Sequence, residues 1–135
     1  MNARLNALLG LWRSRGRTVD EPPIEIIGTD DYQWFPGERF LVHRVDVRVG
    51  GEHVQVLEMI GPHDPATDSY PMRAFDHQGG FSEMTATVDA DGVWTFAGPD
   101  TRATLRVGEN TMAATWERLV DGQWRHWMDM GFTRA

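Results

Sequence analysis

The chain contains no cysteine. That excludes disulfides, thiolate nucleophiles and cysteine-ligated metals, and it leaves the cellular compartment open. Lysine is missing as well: all 13 basic residues are arginine. No apolar run approaches the roughly 20 residues of a membrane span. The opening MNARLNALLGLW has a short apolar segment and no small-residue cleavage site. No signal peptide is therefore expected, and the cytoplasm is the default. Chemical motifs are also scarce. The five histidines form no H-x-H, H-x-x-x-H or H-E-x-x-H, so no metal site is expected. Ser14, Ser69 and Ser82 sit in no nucleophile-elbow sequence, and there is neither a phosphate loop nor a dinucleotide fingerprint.

Positive charge is in short supply. The net charge is −7, from 20 acidic residues against the 13 arginines. Arg4, Arg13, Arg15 and Arg17 precede every acid, so the rest of the chain is strongly acidic. Such a body disfavours nucleic acid and anionic membrane as partners. Arg13, Arg15 and Arg17 alternate along one strand face. Acids on the next strand, such as Glu25 and Asp31, are their expected partners, with an anion site as the alternative.

What is present is turns and alternation. The 135 residues suffice for one domain, 1–135, with one sizeable core. Residues 2–9, NARLNALL, read as a short helix capped by Asn2, with Leu5, Leu8 and Leu9 at helical spacing. Strands are expected over 11–18, 24–34, 40–61 (a hairpin), 70–76, 81–88, 93–97, 101–107, 111–119 and 124–134. Gly28 is a candidate bulge or bend. About ten short strands between turn-forming clusters are the pattern of an all-β barrel or sandwich.

The most informative stretch is Phe40 to Gly61, FLVHRVDVRVGGEHVQVLEMIG. Gly50-Gly51 suits a two-residue hairpin turn, because both residues can take positive φ. That turn sets Val47 opposite Val54, Val45 opposite Val56, and His43 opposite Glu58. Alternation then gives one face of Leu41, His43, Val45, Val47 and Val49 with Val54, Val56, Glu58 and Ile60. This is the expected interior. Directly opposed side chains have Cβ atoms about 4.5–5.5 Å apart, so an imidazole and a carboxylate there can hydrogen-bond. Such a pair can serve as general base and orienting acid, with the free ring nitrogen facing a cavity. It can equally close a core or orient a ligand, each group satisfying the other.

A second hairpin turns on Asp121-Gly122. The same counting sets Trp116 opposite Trp127, Ala114 opposite Asp129 and Glu117 opposite His126. Trp116 and Trp127 then lie on one face, and Trp124, Met128, Met130 and Phe132 on the other. Both faces are rich in large apolar groups, so either could be interior. The remaining face needs a cover, from the N-terminal helix or from a second subunit in a homodimer. Six tryptophans suit either a packed core or a pocket for a planar ligand.

Gly10-Leu11-Trp12, a G-x-W opening the first strand, and Arg134 at the end of the last strand resemble the calycin superfamily of β-barrels. The resemblance implies that Trp12 plugs one barrel end with Arg134 packed across it. The His43 and Gly50-Gly51 region, the 64–70 loop DPATDSY and the Asp121-Gly122-Gln123-Trp124 turn are similar to small bacterial lipocalin-like proteins of unknown function, the DUF1579-like group. That implies one calycin-like or lipocalin-like antiparallel barrel of eight to ten strands enclosing a cavity. The haem-binding nitrobindins are a related barrel whose axial histidine lies near the chain end, where only His126 could match. No second motif supports haem, and no cofactor is expected.

The expected function is therefore binding of a small, mostly apolar or aromatic ligand in the cavity by His43, Glu58, Trp116 and Trp127. The alternative is an acid/base enzyme (isomerase, cyclase or hydrolase) using His43 and Glu58 as catalytic pair. A third expectation is a barrel filled by side chains that associates through an exposed strand face.

Overall fold

The structure, a computed structural model, describes residues 2–135, the side chain of Asn2 excepted. The expected Asn2 cap thus lies outside the described residues. A 3-10 helix, Asn2–Leu8, precedes ten strands. These are β1 (Gly10–Thr18), β2 (Glu25–Trp34), β3 (Leu41–Val49), β4 (Glu52–Ile60), β5 (Tyr70–Asp76), β6 (Phe81–Val88), β7 (Val93–Ala97), β8 (Thr101–Val107), β9 (Thr111–Val120) and β10 (Gln123–Arg134). Each pairs antiparallel with its neighbour in sequence, and β1 pairs with β10 to close the barrel. Closure leaves no strand edge exposed. Among the described residues no helix is long and apolar enough to cross a membrane.

Alternation builds the interior. Ile26, Leu41, Val47, Ile60, Met72, Ala86, Phe96, Ala103, Leu105, Met112 and Ala114 are buried, whereas outward residues between them such as Arg44 and Asp46 are exposed. One end is sealed. The 3-10 helix lays Leu5 and Leu8 there, beside buried Trp12, Tyr70 and Trp94. Trp12 donates its indole N–H to the Leu8 carbonyl at 2.9 Å. Arg134, paired with Trp12 across β1 and β10, stacks over the indole at 4.1 Å. Its guanidinium donates to the carbonyls of Leu9 at 2.6 Å and Glu109 at 2.8 Å. These bonds tie helix, first strand and last strand together.

The opposite end carries the Gly50-Gly51 turn. Gly50 and Gly51 have φ of 59° and 90°, and the β3–β4 ladder runs unbroken from Val49–Glu52 to Leu41–Ile60. The Gly50-Gly51 register thus holds along its whole length.

The Asp121-Gly122 hairpin departs from its expected register. Glu117 does face His126, but the ladder then slips by one residue at Trp127. Trp116 faces Met128 rather than Trp127, and Ala114 faces Met130 rather than Asp129. Without the slip, Asp129 would point into the barrel and Met130 and Phe132 out of it. The bulge reverses both, so Met112, Ala114 and Trp116 share the inner face with Met128, Met130 and Phe132. Trp127 still meets Trp116, edge to face, at 6.4 Å between ring centroids. Trp124 lies outside under the Arg102 guanidinium, 4.3 Å from its ring.

Two smaller expectations are also corrected. Gly28 is not a bulge, since its ladders to β1 and β3 run unbroken. It marks a close approach instead: a Cβ there would lie 2.1 Å from the Asp46 carbonyl oxygen. Arg17 does lie opposite Glu25. Yet the ion pairs among the described residues involve none of Arg13, Arg15 and Arg17. Arg13 and Arg15 instead line a cavity of about 620 Å³ with Ile27, Thr111, Gly131 and Thr133, which also reaches the inward-facing Ser14, Met112 and Phe132.

Candidate functional site

Five inward-facing residues meet in the barrel, with Asp30 paired to Trp12 across β1 and β2. The β3–β4 ladder places His43 directly opposite Glu58, and His43 Nδ1 lies 2.9 Å from Glu58 Oε1. The β2–β3 ladder places Tyr32 opposite His43, with Asp30 one inward position along. Asp30 Oδ2 lies 2.7 Å from His43 Nε2. Ser14 on β1 donates its hydroxyl to Asp30 Oδ1 at 2.5 Å. The Tyr32 ring lies flat on the imidazole, 4.0 Å between centroids and 7° from parallel.

The ring nitrogen expected to be free is thus taken by Asp30. With a carboxylate on each side, the ring is favoured as an imidazolium that donates from both nitrogens. Burial of His43 opposes that charge; the hydrogen bonds to Asp30 and Glu58, with the charges of both, outweigh it and raise the pKa from 6.5 to about 9. Burial raises the Tyr32 phenol well above its ordinary value, with smaller help from Asp30 and Glu58. It is therefore a neutral hydroxyl at physiological pH.

All five residues are at least nine-tenths buried, with Glu58 at 6% exposure and Tyr32 at 5%. Glu58 Oε2 and the Tyr32 hydroxyl have no hydrogen-bond partner among the described residues. Neither atom is sealed from solvent, since Arg4 Nε is the sole sealed side-chain polar atom without a partner among them. Glu58 sits on the inner face of the barrel.

Above this layer the inward side chains change. Leu41, Ile60 and Trp12 are fully enclosed, whereas Val45, Val56, Trp116 and Met128 are only half-buried. These positions face inward, among inward neighbours such as Ile26, Val47, Phe96 and Ala103 that are buried. Trp116 and Trp127 stand on β9 and β10, with Arg118 5.4 Å over the Trp127 ring. The structure brings His43 and Glu58 together, and Trp116 and Trp127 together, as two separate pairs on different strands of the barrel. Trp12 and Arg134 meet at the closed end.

Other histidines lie outside this lumen. His126 is exposed on the outer face and bonds Asp129 at 2.9 Å. His63 bonds Asp68 at 2.8 Å, and Asp68 also pairs with Arg4 of the 3-10 helix, pinning that helix to the 61–69 loop. Asp30, Ser14 and Tyr32 were not anticipated as site residues. Their signal was parity: Ile26, Gly28, Asp30, Tyr32 and Trp34 are one face of a strand, and Asp30 is its polar exception.

No protein-family model and no curated protein matches the chain. The barrel itself has a close structural counterpart in the crystal structure of Rv2717c from M. tuberculosis. That chain is similar with a TM-score of 0.73 and 16% identity, over 98% of this chain and 97% of the other. At that identity the likeness is one of fold. It is consistent with a lipocalin-like barrel and does not reach the narrower DUF1579-like group.

Proposed function

We propose that the protein binds a small, mostly apolar or aromatic molecule in the barrel lumen. His43, Glu58 and Asp30 form its polar end, and Trp116 and Trp127 its aromatic wall. The observation that carries this reading is the convergence of His43, Glu58 and Asp30 on an inner face that also holds the half-buried Val45, Val56, Trp116 and Met128. The mix of an apolar wall with a few convergent polar groups is that of a small-molecule site. An acid/base enzyme using His43 as base would need a free ring lone pair, and Asp30 and Glu58 occupy both nitrogens. Binding is therefore the favoured reading.

Native mass spectrometry of freshly purified protein tests it. A retained mass that is lost in Trp116→Ala, with the barrel still folded, is the expected result. Retention unchanged by Trp116→Ala and Trp127→Ala together would move the ligand out of the lumen.

A further inference from the structure

We infer that the polar end of the lumen ligand is cationic, a protonated amine or a comparable N–H group, seated on the free oxygen of Glu58. This inference rests on the lumen-binding reading and adds the ligand's charge to it.

The argument is a charge count in a closed space. Two carboxylates, Asp30 and Glu58, share one imidazolium. Ser14 contributes a neutral hydrogen bond. No arginine is within ion-pair distance of either acid: the arginines that pair with acids among the described residues do so at Asp68, Glu83 and Glu117. The layer therefore holds one more acidic group than cationic groups. Charge buried without a partner is costly. A cation arriving through the lumen would balance it.

The hydrogen-bond inventory points the same way. Three of the four carboxylate oxygens accept from protein: Asp30 Oδ1 from Ser14, Asp30 Oδ2 from His43 and Glu58 Oε1 from His43. Glu58 Oε2 remains, an acceptor on a side chain only 6% exposed. A ligand N⁺–H would complete it with a charge-assisted bond. A carboxylate or phosphate would bring acceptors to an acceptor and like charge to a negative layer. The half-buried Trp116 and Met128 farther along the lumen suit an apolar body attached to that head.

Three probes of matched size test the charge: 2-phenylethylamine, 2-phenylethanol and phenylacetate, titrated calorimetrically at neutral pH. The amine should bind at least tenfold more tightly than the alcohol, and phenylacetate more weakly than both. Glu58→Gln should abolish the preference for the amine over the alcohol. The ranking in the native protein stands even if that variant does not fold. Equal affinities, or tightest binding of phenylacetate, would overturn the inference and leave the lumen-binding reading intact. No binding of any probe would count against that reading and remove the inference with it.

Discussion

Hairpins β3–β4 and β9–β10 both turn on two residues at positive φ: Gly50 (59°) and Gly51 (90°) in one, Asp121 (50°) and Gly122 (77°) in the other. In the first the ladder then runs nine pairs without interruption. In the second it runs four pairs, to Glu117–His126, and slips. The turns do not explain the difference; the inner face does. In β3–β4 the alternation set by the turn already places Leu41, Val45, Val47, Val54, Val56 and Ile60 inside. Its two polar exceptions satisfy each other. In β9–β10 the same counting would bury Asp129 and expose Met128, Met130 and Phe132. Burying an apolar side chain of this kind is worth roughly 1.5–3 kcal/mol. Three of them outweigh one ladder hydrogen bond, at about 1 kcal/mol. The bulge is the cheaper defect.

That account can be broken by deleting one residue from each hairpin. Removal of Val45 shifts Arg44 into the barrel and turns His43 and Leu41 outward, so the protein should lose its cooperative unfolding transition. Removal of Trp127 restores a continuous ladder and keeps Met128, Met130 and Phe132 inside. That protein should still fold, with a loss of about 1–3 kcal/mol from the missing ring. Circular dichroism with urea unfolding reads both. Equal damage from the two deletions would mean that parity does not govern register here.

The two hairpins also differ in how they hold a histidine. His43 is clamped between buried carboxylates, whereas His126 bonds Asp129 with both side chains about half exposed. A folded-state pKa raised from 6.5 to about 9 stabilises the fold fully below pH 6.5 and loses that stabilisation as pH rises through about 9. The unfolding free energy should fall by on the order of 3 kcal/mol across that window. His43→Gln should flatten the profile in that range. His126→Ala should leave its shape unchanged and cost less than about 1 kcal/mol, as expected for an exposed pair. A wild-type profile level between pH 6.5 and 10 would contradict the charged, doubly bonded ring.

The same contrast explains what could be read from the residues alone. Gly50-Gly51 is a short turn with one dominant geometry, so counting outward from it reached His43 and Glu58. No comparable anchor joins β1 to β2, where residues 19–24 include Pro22 and Pro23. The register that brings Asp30 to His43, and Ser14 to Asp30, is set by barrel closure across several strands, which no local pattern encodes. The bulge at Trp127 has no glycine or proline beside it. Its trace was indirect: Asp129 on the wrong parity among Met128, Met130 and Phe132.

The smallest effect tests whether the two turns really are equivalent. Gly51 and Gly122 occupy the second turn position in each hairpin, at φ of 90° and 77°, and an added Cβ at either meets nothing within 4 Å. Gly50 is unsuitable for the comparison, because a Cβ there would touch Ile24 at 3.0 Å. Gly51→Ala and Gly122→Ala should therefore each cost only the backbone penalty of a left-handed conformation, about 1–2 kcal/mol. Equal losses in urea midpoints would locate the difference between the hairpins beyond their turns, at the inner face. If Gly122→Ala cost far more than Gly51→Ala, the β9–β10 turn would itself be under load, and the slip at Trp127 would relieve it as well as sort the side chains.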